Sequence, residues 1–310
     1  MKDRKRKYNA KFYLRIFMVL LILAVSSFYG YLDKLDPGST YVEDNESSAI
    51  PDQTAPIAGQ TMEVHFIDVG QGDSILIKLP SQENMLIDAG DNGKEGVVID
   101  YLKDQGVSRI DHLIATHPHA DHIGGMDYVI DEFDIGHIYM PKVVHTTKTY
   151  MDVLEAIERK NLEIKSAKAG MTIPLEGVTA EILAPDGQLE SDNLNDYSIV
   201  IRLSYGQTIF LFQGDAEKLT EDYILESHPN IKADVLKLGH HGSSTSNTPQ
   251  YIEAVDPDYG IITAGEGNKY GHPHKEIMEL MNEKGITIYR TDKDGSIVVI
   301  SDGKEVSFDN

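Results

Sequence analysis

The chain has 310 residues, 41 % of them hydrophobic, no cysteine, and a formal net charge of −22. That length and apolar content suffice for one large domain or two ordinary ones, and the lack of cysteine excludes disulfides and thiolate metal sites. So acidic a chain does not grip nucleic acid through a basic surface, although cations bound in a cleft reverse the sign locally.

Residues 1–61 differ from the rest. Lys2, Arg4, Lys5, Arg6, Lys7 and Lys11 precede an apolar run from Ile16 to Val25, a basic flank before an export segment. Phe12 to Leu32 is about long enough to span a bilayer, and Phe28, Tyr29 and Tyr31 extend it with side chains suited to a membrane interface. Ala24-Val25-Ser26 offers the alternative of a cleavage site. The expectation is an anchor (membrane contact through residues 12–32) or a signal peptide over 1–32, with the remainder extracytoplasmic, anchored to a bacterial membrane or secreted. Residues 33–61, rich in Asp, Glu and Pro, read as a disordered linker. The acidic excess lies almost wholly in 62–310, which has no Pro/Gly/Ser-rich break and reads as one domain.

From Met62, short apolar runs around Val64, Ile75 to Ile77, and Met85 to Ile87 predict an antiparallel meander. Further apolar runs at 112–116, 137–140, 180–183, 197–204, 207–213, 234–238, 258–263, 286–289 and 296–300 are interleaved with helical patterns at 94–104, 122–132, 148–159, 215–226, 248–254 and 273–284. This order predicts two mixed sheets with helices outside. Segment 141–150, with His145 and several threonines, is expected to be a loop over a cleft.

Chemistry-bearing residues gather where these runs end. Thr116-His117-Pro118-His119-Ala120-Asp121-His122-Ile123-Gly124-Gly125 places three imidazoles and a carboxylate directly after an apolar strand, a density that suits two metal ions. Imidazole and carboxylate fit Zn²⁺, Mn²⁺ or Fe²⁺. Asp88, at the end of another strand, is expected to orient a ligating imidazole by accepting its free N–H. Asp215, in Gln213-Gly214-Asp215, is the expected carboxylate shared between two ions, since an oxygen placed between cations lowers their repulsion. A fourth strand delivers His240 and His241 together. Successive side chains diverge, so one ligates and the other contacts substrate, with His240 preferred as ligand. His272 is a candidate general acid or further ligand, and His274 reads as a capping or surface residue. Asp68 and Asp73 read as turn residues, and the isolated His65, His112, His137, His145 and His228 as structural.

The H-x-H-x-D-H pattern resembles the signature of the metallo-β-lactamase-fold hydrolases. With Asp68-Val69-Gly70-Gln71-Gly72-Asp73-Ser74, Leu86-Ile87-Asp88-Ala89-Gly90, Gln213-Gly214-Asp215-Ala216-Glu217, Gly239-His240-His241-Gly242-Ser243 and Gly271-His272-Pro273-His274 in this order, nearly all of 62–310 is similar to the extracytoplasmic hydrolase domain of ComEC-type competence proteins, bacterial DNA-uptake channels. The resemblance implies a four-layer αββα sandwich and hydrolysis of a DNA strand. Two departures stand out. Only one apolar segment is long enough to span a membrane, so DNA uptake itself is not carried over. The stretch that bears a third-motif histidine in many such enzymes reads Asn193-Leu194-Asn195-Asp196-Tyr197-Ser198, which leaves Asn195 or Asp196 for that place.

The resulting expectation is an exported hydrolase of phosphodiesters, single-stranded DNA among them, with two divalent ions, Zn or Mn. His117 and His119 hold one ion, with Asp196 a candidate beside them. Asp121, His122 and His240 hold the other, and Asp215 is shared. A water between the ions attacks phosphorus, Asp121 acts at the reacting centre, and His241 or His272 assists the leaving group. The alternatives are a cell-envelope phosphodiester (phosphocholine or teichoic acid) as substrate, or a catalytically weak metal-binding module of an envelope complex.

Overall fold

Side chains on successive strand residues point to opposite faces, and in this chain both faces of the central strands are buried. In the run Thr208–Phe212, Phe210 and Phe212 enter one apolar cluster while Leu211 enters another. Ile75 and Ile77 likewise face the first cluster and Leu76 a third. This double burial explains why the strands read as continuous apolar runs.

The computed structural model describes residue 57 and residues 59–309. The proposed membrane segment and most of the linker lie outside the described residues. Eight strands form the first sheet, in the order β15 (Val306–Asp309), β14 (Ile297–Ser301), β1 (Met62–Phe66), β2 (Ile75–Lys78), β3 (Asn84–Ile87), β4 (Arg109–Ile114), β5 (Asp134–Pro141), β6 (Ile164–Ala167). Seven form the second: β13 (Thr287–Arg290), β12 (Tyr259–Ile262), β11 (Val235–Lys237), β10 (Thr208–Phe212), β9 (Val200–Tyr205), β8 (Thr179–Ala184), β7 (Thr172–Pro174). Phe66 meets Phe212 between the sheets, ring centroids 6.2 Å apart.

Helices cover both outer faces. Val98 and Leu102 of α1 (Glu95–Asp104), Val129 and Ile130 of α3 (Met126–Glu132), and Val153 and Ile157 of α4 (Lys148–Arg159) pack on the first sheet. Ile224 of α5 (Lys218–Ser227), Ile252 of α6 (Pro249–Val255) and Ile277 of α7 (Lys275–Lys284) pack on the second. The architecture is the expected αββα sandwich.

The helix expected at 122–132 is two pieces, α2 (Ala120–Ile123) and α3, separated by Gly124 and Gly125. A Cβ on Gly124 would stand 2.2 Å from Asn92 N, and one on Gly125 2.5 Å from Ala89 O. The pair therefore lets the ligand-bearing turn press against the loop that follows Asp88. Three strands escaped the sequence pattern: β6, β7 and β15. Each is an edge strand with half-exposed residues, where no apolar alternation is required.

Parallel pairing sets the site. Strands β3 and β4 run parallel, as do β10, β11 and β12, so their carboxyl ends deliver loops to a common edge of each sheet. Replacing Phe212 with Ala leaves a void between the sheets and is expected to cost about 3–5 kcal/mol in urea-induced unfolding. The exposed Val97→Ser should stay within about 0.5 kcal/mol of the parent.

Candidate metal centre

The loops from the two sheets meet in a cluster of imidazoles and carboxylates. One ligand atom each from Asp121, His122, Asp215 and His241 lie within 4.8 Å of one another. His122 Nε2 is 3.2 Å from Asp215 Oδ2, and His241 Nε2 is 3.4 Å from Asp121 Oδ2 and 3.6 Å from Asp215 Oδ2. On the other side of Asp215, His117 Nε2 lies 3.8 Å from Oδ2 and 3.0 Å from His119 Nδ1.

Hydrogen bonds behind the rings decide which nitrogens are bare. The backbone N–H and the hydroxyl of Thr116 donate to Asp88, at 2.8 and 2.6 Å. The hydroxyl proton being committed, Thr116 Oγ1 accepts from His117 Nδ1 at 3.1 Å. Asp88 also takes the Nδ1–H of His122 at 2.7 Å. His241 Nδ1 donates to the carbonyl of Thr263 at 2.8 Å, and a carbonyl can only accept. Neutral His117, His122 and His241 thus all present an Nε2 lone pair toward Asp215.

Lone pairs facing carboxylate oxygens repel unless a cation or proton stands between them. His122 Nε2, His241 Nε2 and Asp215 Oδ1 are buried with no hydrogen-bond partner, a state that costs free energy unless a ligand relieves it. Two donors on one tetrahedral ion at zinc–nitrogen distances stand about 3.4 Å apart, close to the separations around Asp121, His122, Asp215 and His241. The donor set fits a divalent metal ion.

A second layer holds these groups. Asp73 and Lys237 are both buried and form an ion pair. Asp73 also accepts the Thr263 hydroxyl, and Lys237 donates to Gly214 O at 3.1 Å. The pair ties the loop before β2 to β11 and to the loop carrying Asp215. A Cβ on Gly72 would stand 2.3 Å from Asp121 O, so the backbone there passes directly under the Asp121 turn.

His240 and His241 leave β11 in left-handed conformations (φ 49° and 56°), followed by Gly242 at φ 80°. For non-glycine residues this costs roughly 1–2 kcal/mol each, and local bonds hold it. Asn247 accepts from Gly239 N and donates to Gly239 O, both at 2.9 Å, and donates to Ser243 O at 3.2 Å. Buried Glu221 accepts from the backbone N–H groups of Asn247 and Thr248. The turn decides the histidine pair differently from the sequence preference. His241 joins the four-residue cluster, whereas half-buried His240 stands at the rim, Nδ1 3.2 Å from Glu217 Oε1 and Nε2 3.7 Å from Asp215 Oδ2. Left-handed backbone at two consecutive histidines leaves no pattern in a sequence.

The third-motif position also resolves. Asn193 caps a short turn, Leu194–Tyr197, by accepting from Asn195 N. Asn195 Nδ2 donates to Glu217 Oε1 at 2.9 Å and lies 3.4 Å from His240 Nδ1, while its buried Oδ1 has no partner. The carboxylate of Asp196 accepts the Ser191 hydroxyl through Oδ2 at 2.6 Å, its buried Oδ1 has no partner either, and it stands outside the four-residue cluster.

His272 lies behind His240, ring centroids 5.3 Å apart. Burial, with the neighbouring imidazoles of His241 and His240, pushes it down to about 4, which suits a neutral contact and not a proton donor at neutral pH. His241, with Nδ1 on a carbonyl and Nε2 in the cluster, has no nitrogen free to assist a leaving group. His145 is nearer than its isolation in sequence implied, its ring 6.5 Å from that of His119. Asp73, Thr116, Lys237 and Glu217 were missed as supporting groups. Lys237 carried a signal, a lone charge inside the apolar strand Val235-Leu236-Lys237-Leu238.

Residues 67–266 match the family described as the Metallo-beta-lactamase superfamily. ComE operon protein 3 of Bacillus subtilis is 32 % identical, with 78 % of this chain and 33 % of that protein covered. Competence protein ComA of Neisseria gonorrhoeae is 28 % identical, covering 74 % of this chain and 31 % of that protein. The chain thus spans about a third of the length of these relatives. Among solved structures, the metallo-beta-lactamase fold protein YhfI from Bacillus subtilis superposes with a TM-score of 0.51 at 12 % identity, covering 78 % of this chain and all of that one.

Without metal, protons take the cation's place. Burial alone would lower His241, but Asp215, Asp121 and Asp73 outweigh it and push the ring up to about 9. His122 is raised well above its ordinary value against the same burial, by Asp215 and Asp88. A folded-state pKa above the unfolded value contributes stability that is present below about pH 6.5 and is lost as pH rises through the folded value. In chelator, the thermal midpoint should therefore fall as pH rises from about 6.5 through about 9, and saturating Zn²⁺ should flatten that fall. A midpoint independent of pH in chelator would contradict this charge balance.

Proposed function

The chain belongs to the metallo-beta-lactamase superfamily, as a metal-dependent hydrolase related to competence proteins, and on that premise we propose that it hydrolyses phosphodiesters with two divalent ions, Zn²⁺ or Mn²⁺. The supporting observation is that possible donors lie on both sides of Asp215, with Asp121, His122 and His241 clustered on one side and His117, beside His119, 3.8 Å away on the other. His117 and His119 would hold one ion, with the unpartnered carbonyl of Asn195 where relatives of this fold use a third imidazole. Asp121, His122 and His241 would hold the other.

A bound ion pair supplies an activated water and charge stabilisation at phosphoryl oxygens. The chain's own residues do the rest. Asp88, through Thr116 and directly, keeps His117 and His122 in the tautomers that ligate. Glu217 holds His240 by Nδ1, leaving Nε2 at the half-open rim for a substrate oxygen. Asp121, more exposed than the other carboxylates of the cluster, lines the approach. Neutral His272 offers a second polar contact beside it.

The basic flank and apolar run at 2–32 support an extracytoplasmic, membrane-anchored or secreted protein. Single-stranded DNA is the favoured polymer because the sequence motifs resemble those of DNA-uptake proteins and one similar protein is named a competence protein. The net charge of −22 makes binding weak at moderate salt.

Elemental analysis of the reconstituted protein is expected to find about two ions per chain, and Asp215→Ala to lose at least one. No bound metal after reconstitution in Zn²⁺ or Mn²⁺ would defeat the catalytic account. Hydrolysis of bis-p-nitrophenyl phosphate should depend on metal and fall to background in His119→Ala and Asp121→Ala. His228→Ala should retain activity, since that ring hydrogen-bonds Leu183 O, at 3.2 Å, and is no member of the cluster. Cleavage of glycerol or choline phosphodiesters but not DNA would assign an envelope substrate. A full metal load without turnover would assign a metal-binding module.

A further inference from the structure

Two residues at the mouth of the metal centre have no part in holding it. Tyr270 is 52 % exposed, and its neighbour Lys269 is exposed too. The loop that carries them is braced from within. Asn268 Oδ1 accepts from the backbone of Tyr270 and His272, at 3.2 and 3.0 Å, and its amide donates to the carbonyls of Gly265 and His272, at 3.0 and 2.6 Å. The phenol ring is therefore held out toward solvent on a fixed backbone.

Tyr270 also connects to the centre. Its ring is stacked on His272, centroids 5.6 Å apart and planes 21° from parallel. His272 in turn stands 5.3 Å from His240 and 6.1 Å from His241. A series of rings thus leads from solvent to a ligand. Lys269 Nζ lies 4.9 Å from the Tyr270 centroid, a cation beside an aromatic face in a chain that is otherwise strongly acidic.

We propose that Tyr270, backed by His272, is a stacking platform for the base next to the scissile phosphate of a single-stranded nucleic acid, with Lys269 taking an adjoining backbone phosphate. Stacking of bases on aromatic side chains, with a cation following the backbone, is how single strands are held without sequence preference. It does not need the broad basic surface this chain lacks. A small alkyl diester has nothing to place on the ring. The inference rests on the phosphodiesterase reading and adds to it the residues that would hold the strand.

The test compares two esters with one leaving group on the metal-loaded full chain: thymidine 5′-(p-nitrophenyl) phosphate and methyl p-nitrophenyl phosphate. Tyr270→Ala is expected to raise KM for the thymidine ester about 5- to 150-fold, with kcat little changed and the methyl ester unaffected. Tyr270→Phe should behave as the parent. Equal effects on both esters, or none on either, would overturn the platform. If the parent turns over neither ester, the phosphodiesterase reading has failed, and fluorescence anisotropy with fluorescein-labelled oligo(dT) still judges the platform. Weaker binding by Tyr270→Ala, with salt-dependent weakening by Lys269→Ala, supports it; unchanged binding, or no binding by the parent, refutes it.

Discussion

The carboxylate of Asp88 accepts three hydrogen bonds, from the backbone and hydroxyl of Thr116 and from His122, and the ligand set depends on them. One oxygen pair fixes the tautomers of two imidazoles on one turn, His122 directly and His117 through the Thr116 hydroxyl. Removing it would leave a buried Thr116 N–H unpaired and release both rings at once. On the second sheet the same task falls to different groups. The Thr263 carbonyl holds His241, and the Asp73–Lys237 pair holds Thr263 and the Asp215 loop. The centre is therefore built from two supports, one per sheet, and the Asp73–Lys237 pair is one of the contacts that join them.

The left-handed turn at His240 and His241 shows what such support achieves. A backbone in this conformation would relax if left alone, yet Asn247 binds Gly239 before it and Ser243 after it, and Glu221 holds Asn247 by its backbone N–H. Strain held by the surrounding structure is a recurring property of functional sites. Here it separates two adjacent, chemically identical side chains, sending one inward to the Asp121–His122–Asp215 cluster and the other to the rim, where Glu217 and Asn195 orient it.

Much of this was legible in sequence because the responsible signals are local. The apolar runs of β10 and β11 and the ligands directly after them share a few residues of chain, as do His117, His119, Asp121 and His122. What was not legible depends on contacts distant in the chain. Thr116 matters only because Asp88 lies opposite it, and Asp73 looks like any turn aspartate until Lys237 is placed beside it. Asn195 and Asp196 are equivalent by position and are told apart only by Ser191 and Glu217. The edge strands β6, β7 and β15 were invisible for the complementary reason, that half-exposed strands need no alternating pattern.

The origin of the ligands in both halves of the sandwich has a further consequence. Asp121 and His122 hang from the first sheet, and Asp215 and His241 from the second. An ion bound by all four is a cross-link between segments far apart along the chain, and closing such long loops removes much conformational freedom from the unfolded ensemble. The sheets cannot part while the ion stays, so its departure precedes opening of the sandwich and the lifetime of the folded state becomes tied to metal exchange. The supply of ions would then govern the persistence of the domain.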